Sequence, residues 1–255
     1  MQQSSISVHH TLRHGIFQVA WQLKKQGYSD KTIEGYAKRL KYLEKRIDVD
    51  NPEAVKEFIA QMEVSSTYKE SMVNAYVHYV RVNGLTWVKP IYKRSERLPN
   101  VPSTEQVNKI ISGSGKKYSM IFSILRDTGL RPIELHRLTL REIDLEKGVV
   151  YPETAKSGSP RALKLKSSTL AMLKQYLAKK DFTLNDRIFP TTSVMTHVWM
   201  RIRNRLAKKL QEPQLKKIRL YDLRHHFATM LYAKTKGILY VKEQLGHRRL
   251  ENTLI

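Results

Sequence analysis

The side chains with chemical capacity fall into four short strings: TGLRPIEL (128–135), AKSGSPR (155–161), YDLRHHFAT (221–229) and LGHRRLENT (245–253). By type, they suit a phosphate. Arg131 and Arg224 carry planar donor forks that match non-bridging phosphate oxygens, and positive charge fixed there would stabilise the charge that builds on a pentavalent phosphorus. Lys156 sits in a glycine-containing turn, where cationic neighbours would lower its pKa and ease proton donation. His247 and Tyr221 can each hydrogen-bond a phosphate oxygen. A phenol has an unperturbed pKa of about 10, so Tyr221 is a poor base near neutrality. Plainer readings stand beside these: Arg131 as surface charge at a helix start, Lys156 as an ordinary turn residue, His247 as an exposed residue behind a helix-ending glycine.

Other chemistries find little support. The chain has no cysteine, which removes disulfides, thiolate metal sites and thiol nucleophiles. Adjacent His225 and His226 point to different faces of a helix, and no acidic ligand cluster accompanies them or His247, so no metal is expected. The stretch from Ser112 to Lys117 (SGSGKK) lacks the spacing and strand context of a nucleotide-binding loop and reads as a mobile basic turn. No cofactor and no small-molecule substrate are expected.

Two kinds of element must position these residues. Residues 15–88 read as four or five short helices, with Ile16, Val19, Ala20 and Leu23 on one face and Ile33, Tyr36, Leu40 and Leu43 on another. Asn51-Pro52-Glu53 is a helix start, Ser65 or Ser66 opens a further helix, and Gly84 ends it. Residues 89–102, with three prolines and four basic residues, read as an extended linker between a domain at 1–88 and one at 103–255. Beyond it, helices are predicted from Ser103 or Thr104, over 118–127 up to Gly129, and from Pro132. The period then changes, and three short strands are predicted around 143–145, 149–151 and 162–165. Helices return at 168–179, 193–210, 221–235 and 238–244. The fold class is therefore mainly α with a small three-stranded antiparallel β-sheet.

With 46 Lys+Arg against 23 Asp+Glu, the formal net charge is +23. Self-repulsion on that scale is relieved by a polyanion, and nucleic acid is the leading partner. A membrane is not expected, because no apolar run approaches the roughly 18 residues of a span and no lipidation signal is present. The N-terminus lacks the apolar core of a signal peptide, and a cytoplasmic location is expected.

The four strings resemble the active site of the tyrosine recombinases, or phage-type integrases, over residues 103–255; residues 15–88 resemble their helical core-binding domain in pattern. The resemblance implies that Arg131 and Arg224 are the two active-site arginines, Lys156 the hairpin lysine that protonates the departing 5′ oxygen, and His247 a phosphate ligand. Tyr221 stands where the family usually has histidine. Arg161 is expected to touch a phosphate, and His225 to be a packed structural residue. The family's nucleophilic tyrosine lies nine residues after the histidine that His247 matches, the position following Ile255. The resemblance thus implies a site-specific recombinase acting on double-stranded DNA through a 3′-phosphotyrosyl intermediate and forming a synaptic tetramer at full length, with this chain binding but not cleaving. A DNA-binding protein without catalysis and a type IB topoisomerase-like enzyme are the alternatives.

Overall fold

Local capping signals set most of the helix boundaries. The protein, seen in a computed structural model, is described over residues 8–93, 99–154 and 158–253, with side chains from Gly15 onward. It divides into two units, Met1–Arg97 and Leu98–Ile255.

The first unit holds four helices, α1 (Val8–Lys25), α2 (Asp30–Glu44), α3 (Pro52–Gln61) and α4 (Ser66–Val82). Asn51 caps α3 by accepting from the Ala54 backbone N–H at 3.2 Å, with Pro52 at the first helical position, where no N–H is needed. Ser65 caps α4 in the same way through Tyr68. The apolar stripes read from the sequence face one another: Ile16, Val19, Leu23, Leu40, Leu43, Val55, Ile59 and Met72 are buried together. Two tyrosines enter this core with their hydroxyls satisfied, Tyr76 donating to the Val49 carbonyl and Tyr79 to Asp50, each at 2.7 Å. Packing continues past α4, since Trp87 meets Tyr76 edge-on at 4.8 Å and Tyr92 lies partly buried against the same core.

The second unit is built on α6 (Lys116–Thr128), in which Met120 to Leu125 are all buried. A helix buried on every side belongs at the centre. It packs against α5 (Thr104–Ser112), α8 (Ser167–Leu177) and α10 (Asp222–Thr235), and Phe122 stands edge-on to Trp199 of α9 (Thr192–Lys209) at 4.8 Å. Helices α7 (Pro132–Arg137) and α11 (Ile238–Leu245) complete the set. The predicted strands pair over two residues each: β1 (Ile143–Asp144), β2 (Val149–Val150) and β3 (Leu163–Lys164) form an antiparallel sheet in that order, with Ile143 opposite Val150 and Val150 opposite Leu163.

One expectation is corrected. Residues 112–117 form a packed corner between α5 and α6: a Cβ on Gly113 would lie 2.7 Å from Leu206, and the Gly113 carbonyl accepts from Arg205 at 2.6 Å. Helix α6 accordingly starts at Lys116, ahead of the predicted 118. Among the described residues, no helix is long and apolar enough to cross a membrane.

Candidate active site

Arg224 is a buried cation of the second unit, only 4% exposed. Its place is fixed from the start of α10. The fully buried Asp222 accepts from the Arg219 backbone N–H at 2.8 Å and from the Arg219 guanidinium at 2.9 Å, which anchors the first turn of the helix. Arg224 then donates from Nη1 to the Gly129 carbonyl at 2.7 Å and from Nη2 to the Leu245 carbonyl at 2.6 Å. Both acceptors belong to helix C-termini, where carbonyls lack intrahelical partners and the helix dipole favours a cation. Each end is made by a glycine in the left-handed region, Gly129 (φ 63°) and Gly246 (φ 65°). Gly129 has a second reason to be glycine: an added Cβ would sit 2.3 Å from the Phe227 ring. Burial, followed by repulsion from Arg131, lowers the Arg224 pKa to about 10, which leaves it charged at neutral pH.

Arg131 stands at the head of α7, held by Glu134 one turn later. The Glu134 carboxylate accepts from the Arg131 backbone N–H at 2.9 Å and from Arg131 Nη1 at 2.8 Å, and it also accepts Arg161 Nη2 at 2.7 Å. Burial alone would raise the Glu134 pKa; the Arg161 charge and the hydrogen bonds from both arginines outweigh it, and the net shift is downward. Arg161, expected to touch a phosphate, has a side chain that is 3% exposed and tied to this carboxylate.

His247 follows Gly246 directly and turns back towards Arg224. Its Nε2 lies 2.9 Å from Arg224 Nη2 and its Nδ1 lies 2.9 Å from Thr253 Oγ1. A guanidinium can only donate, so Nε2 is the acceptor, the ring proton is on Nδ1, and Thr253 accepts it. Burial first, then the charges of Arg224, Arg131 and Arg161, lowers the His247 pKa to about 4. The imidazole is neutral at pH 7.

These groups line a cavity of about 820 Å³. Arg131, Tyr221, Arg224, His225, His247 and Thr253 supply its polar part, and Tyr232, Ile238, Val241 and Leu245 part of its apolar wall. Tyr221 is 42% exposed at the start of α10, its ring edge-on to His225 at 5.6 Å. His225 is half-buried on the cavity wall, where burial lowers its pKa, and His226 is buried on the other side, its Nδ1 donating to the Pro102 carbonyl at 3.0 Å. Among the described residues, no group of His, Asp and Glu could hold a metal ion. Thus four of the five residues singled out in the sequence, Arg131, Tyr221, Arg224 and His247, meet at one cavity; the fifth, Lys156, lies outside the described residues.

Glu134, Thr253 and the Gly129 carbonyl are parts of the site that the sequence reading missed. For Glu134 a signal was present: an acid three residues after a helix-opening Arg-Pro is placed to reach back to the N-cap N–H. Thr253 and a backbone carbonyl carry no comparable mark.

The fold is shared with solved integrases. Among solved structures, the Tn1549 transposon integrase in complex with transposon right end DNA superposes with a TM-score of 0.75 at 18% identity, covering 94% of this chain and 93% of that one. Lambda integrase bound to DNA gives 0.69 at 16%, covering 93% and 91%. Residues 102–255 match the phage integrase family, and the chain belongs to it. The tyrosine recombinase XerA of Pyrococcus furiosus is 28% identical over 96% of this chain and 90% of its own length, and that of Pyrococcus horikoshii 26% over 91% and 85%.

Proposed function

We propose that this protein is a site-specific DNA recombinase that cleaves and rejoins strands through a 3′-phosphotyrosyl intermediate. The observation that carries the proposal is the convergence of Arg131, Arg224 and His247 on one cavity, with Glu134 and two helix ends holding the arginines in place. A scissile phosphate seated there meets two guanidinium groups, and negative charge developing on its equatorial oxygens is stabilised by cations that need not move. Of the five N–H groups of Arg224, three are committed to Gly129, Leu245 and His247. The others serve the phosphate.

In this reading Tyr221 donates a hydrogen bond to a phosphate oxygen, Lys156 protonates the leaving 5′ oxygen, and a tyrosine after Ile255 is the nucleophile. His247 needs a proton on Nε2 to donate to the phosphate, and on gaining it gives up the hydrogen bond it accepts from Arg224 Nη2. It gains one when the dianionic transition state offsets the surrounding arginines, or by exchange of its ring proton from Nδ1. The first unit serves as the core-binding domain, double-stranded DNA is the partner, and the full-length protein forms a synaptic tetramer on it. A net charge of +23 supports tight phosphate-backbone binding that falls steeply with salt.

The test uses a site enriched from a random duplex library by binding. The protein, expressed through the natural stop codon of its gene, is incubated with a nicked suicide duplex carrying that site and resolved on a denaturing gel. A covalent protein–DNA band, lost in Arg131→Ala and Arg224→Ala, is expected. Tight binding with no band would establish instead a non-catalytic DNA-binding protein, for which Tyr221 in place of a basic residue would be the first cause to examine.

A further inference from the structure

Arg161 was read from the sequence as one more phosphate contact, and its geometry gives it a different task. Its side chain is 3% exposed and donates to a fully buried carboxylate, Glu134, which in turn grips Arg131. Its opposite edge is pressed on the fourth string. A Cβ built on Gly246 would lie 2.7 Å from Arg161 Nη1 and 3.0 Å from the Ser159 carbonyl, and the Ser159 N–H donates to the Gly246 carbonyl at 3.2 Å. Arg161 therefore touches the residue that precedes His247 and, through Glu134, the residue that holds Arg131. Nε and Nη1 of Arg161 are buried with no hydrogen-bond partner among the described residues. Native structures leave buried N–H groups unsatisfied only rarely, so these two call for a physical reason.

The charge arithmetic says what is gained. The charges that act on Arg224 and His247 include three guanidinium groups, Arg131, Arg161 and Arg224 itself, and one carboxylate, Glu134. If Arg131 alone faced Glu134, the pair would be neutral and the fork of Arg131 would be drawn into the carboxylate. With Arg161 on the same carboxylate, Glu134 is already neutralised, and Arg131 keeps a full positive charge for a ligand while its orientation stays fixed.

We propose that Arg161 is a positioning residue of the recombination site: it neutralises Glu134 so that Arg131 is held but not consumed, and it locks the turn before β3 onto the Gly246–His247 corner. The idea rests on the recombinase reading above. It predicts an effect on the rate of strand cleavage and little on DNA affinity, because Arg161 itself does not reach the phosphate.

The experiment measures single-turnover cleavage of the suicide duplex at saturating protein, the DNA Kd, and the Nε–H signals of ¹⁵N-labelled arginine, for the full-length parent and for Arg161→Met, Arg161→Lys, Glu134→Gln and the double variant Arg161→Met/Glu134→Gln. Arg161→Met is expected to cleave about 30-fold more slowly with Kd changed by less than about threefold, since small misplacement of a reacting group costs rate more than binding. The double variant should fall little further than Glu134→Gln, because one residue acts through the other. The dispersed Arg131 signal should move towards the averaged position of solvated arginines in Arg161→Met. Should that variant fail to show a cooperative melt, Arg161→Lys decides: a slower rate at unchanged Kd supports the proposal, because an ammonium cannot span Glu134 and Gly246, and an unchanged rate overturns it. Weakened binding in Arg161→Met with an unchanged saturated rate would make Arg161 a direct phosphate contact and overturn it as well. If the parent itself forms no covalent band, the recombinase reading fails, and the Arg131 signal alone judges the positioning role: unmoved in Arg161→Met, it refutes it.

Discussion

The two units of this protein use their interiors differently. In the first, the buried set is apolar apart from tyrosine hydroxyls, each given one local acceptor. In the second, among the described residues, lie the buried polar and charged residues that are not tyrosine or tryptophan, Ser123, Thr128, Glu134, Thr169, Asp222, Arg224 and His226, together with the buried side chains of Asp127 and Arg161. A buried charge pair is a poor way to gain stability, because desolvation offsets most of the Coulomb attraction. Its presence in one unit and absence from the other marks where the fold gives up stability to hold cations ready for a ligand. The apolar unit holds a shape; the charged unit holds a shape and a field.

That contrast can be broken most directly at Arg224. Arg224→Met should abolish cleavage and destabilise the second unit by about 2–4 kcal/mol, because it strands the Gly129 and Leu245 carbonyls. Trp199 is the sole tryptophan of residues 98–255, so its fluorescence in a denaturant titration reports this unit. An unchanged midpoint would mean that water replaces the guanidinium at no cost.

Gly129→Ala should cost about 2–3 kcal/mol by the same measurement, since the left-handed backbone and the Phe227 ring both oppose a methyl group. A loss below about 1 kcal/mol, the size of the backbone effect alone, would show that the ring can move aside.

Acid should also separate the units. His247 has a folded pKa of about 4 against about 6.5 unfolded, so below pH 6.5 the unfolded chain binds a proton that the folded one does not. Stability of the second unit therefore falls as pH drops from 6.5 to 4, by on the order of 1–3 kcal/mol from this residue, and is insensitive to it above pH 7. His225 and His226, both lowered chiefly by burial, act in the same direction. His247→Gln should flatten the acid limb of a plot of midpoint against pH; an unchanged limb would assign it to the other two. Protonation of Glu134, whose folded pKa is lowered, adds a loss at lower pH still.

The smallest effect is the control in the first unit. Tyr76→Phe removes a hydrogen bond to the Val49 carbonyl and should cost about 1 kcal/mol, with cleavage unchanged. A cleavage defect there would erase the distinction between the two interiors.

The elements were largely legible because their signals are local. Asn51, Ser65 and Ser103 are caps whose side chains need only the next turn, and Gly84, Gly129 and Gly246 end helices by virtue of a backbone conformation that other residues resist. The sheet was read with strands too long, since pairing depends on partners distant in sequence. Arg131, Tyr221, Arg224 and His247 could be chosen from their strings, and the structure brings all four to one cavity. Arg161 was misread because a basic residue in a turn looks the same whether it faces solvent or a carboxylate 27 positions earlier. The turn at 112–117 was misread for a related reason: Gly113 fits against Leu206, a contact with no local trace.

The grip of two carbonyls on Arg224 has a stereochemical consequence. Clamped at Gly129 and Leu245, the fork cannot rotate, so the remaining N–H groups point in fixed directions. The phosphorus of a DNA backbone is prochiral, and a rigid donor set distinguishes its two non-bridging oxygens as surely as a hand distinguishes gloves. In the recombinase reading, sulfur replacing the oxygen that faces Arg224 would be resisted and sulfur replacing the other tolerated, so that two thiophosphate diastereomers of one duplex become unequal substrates.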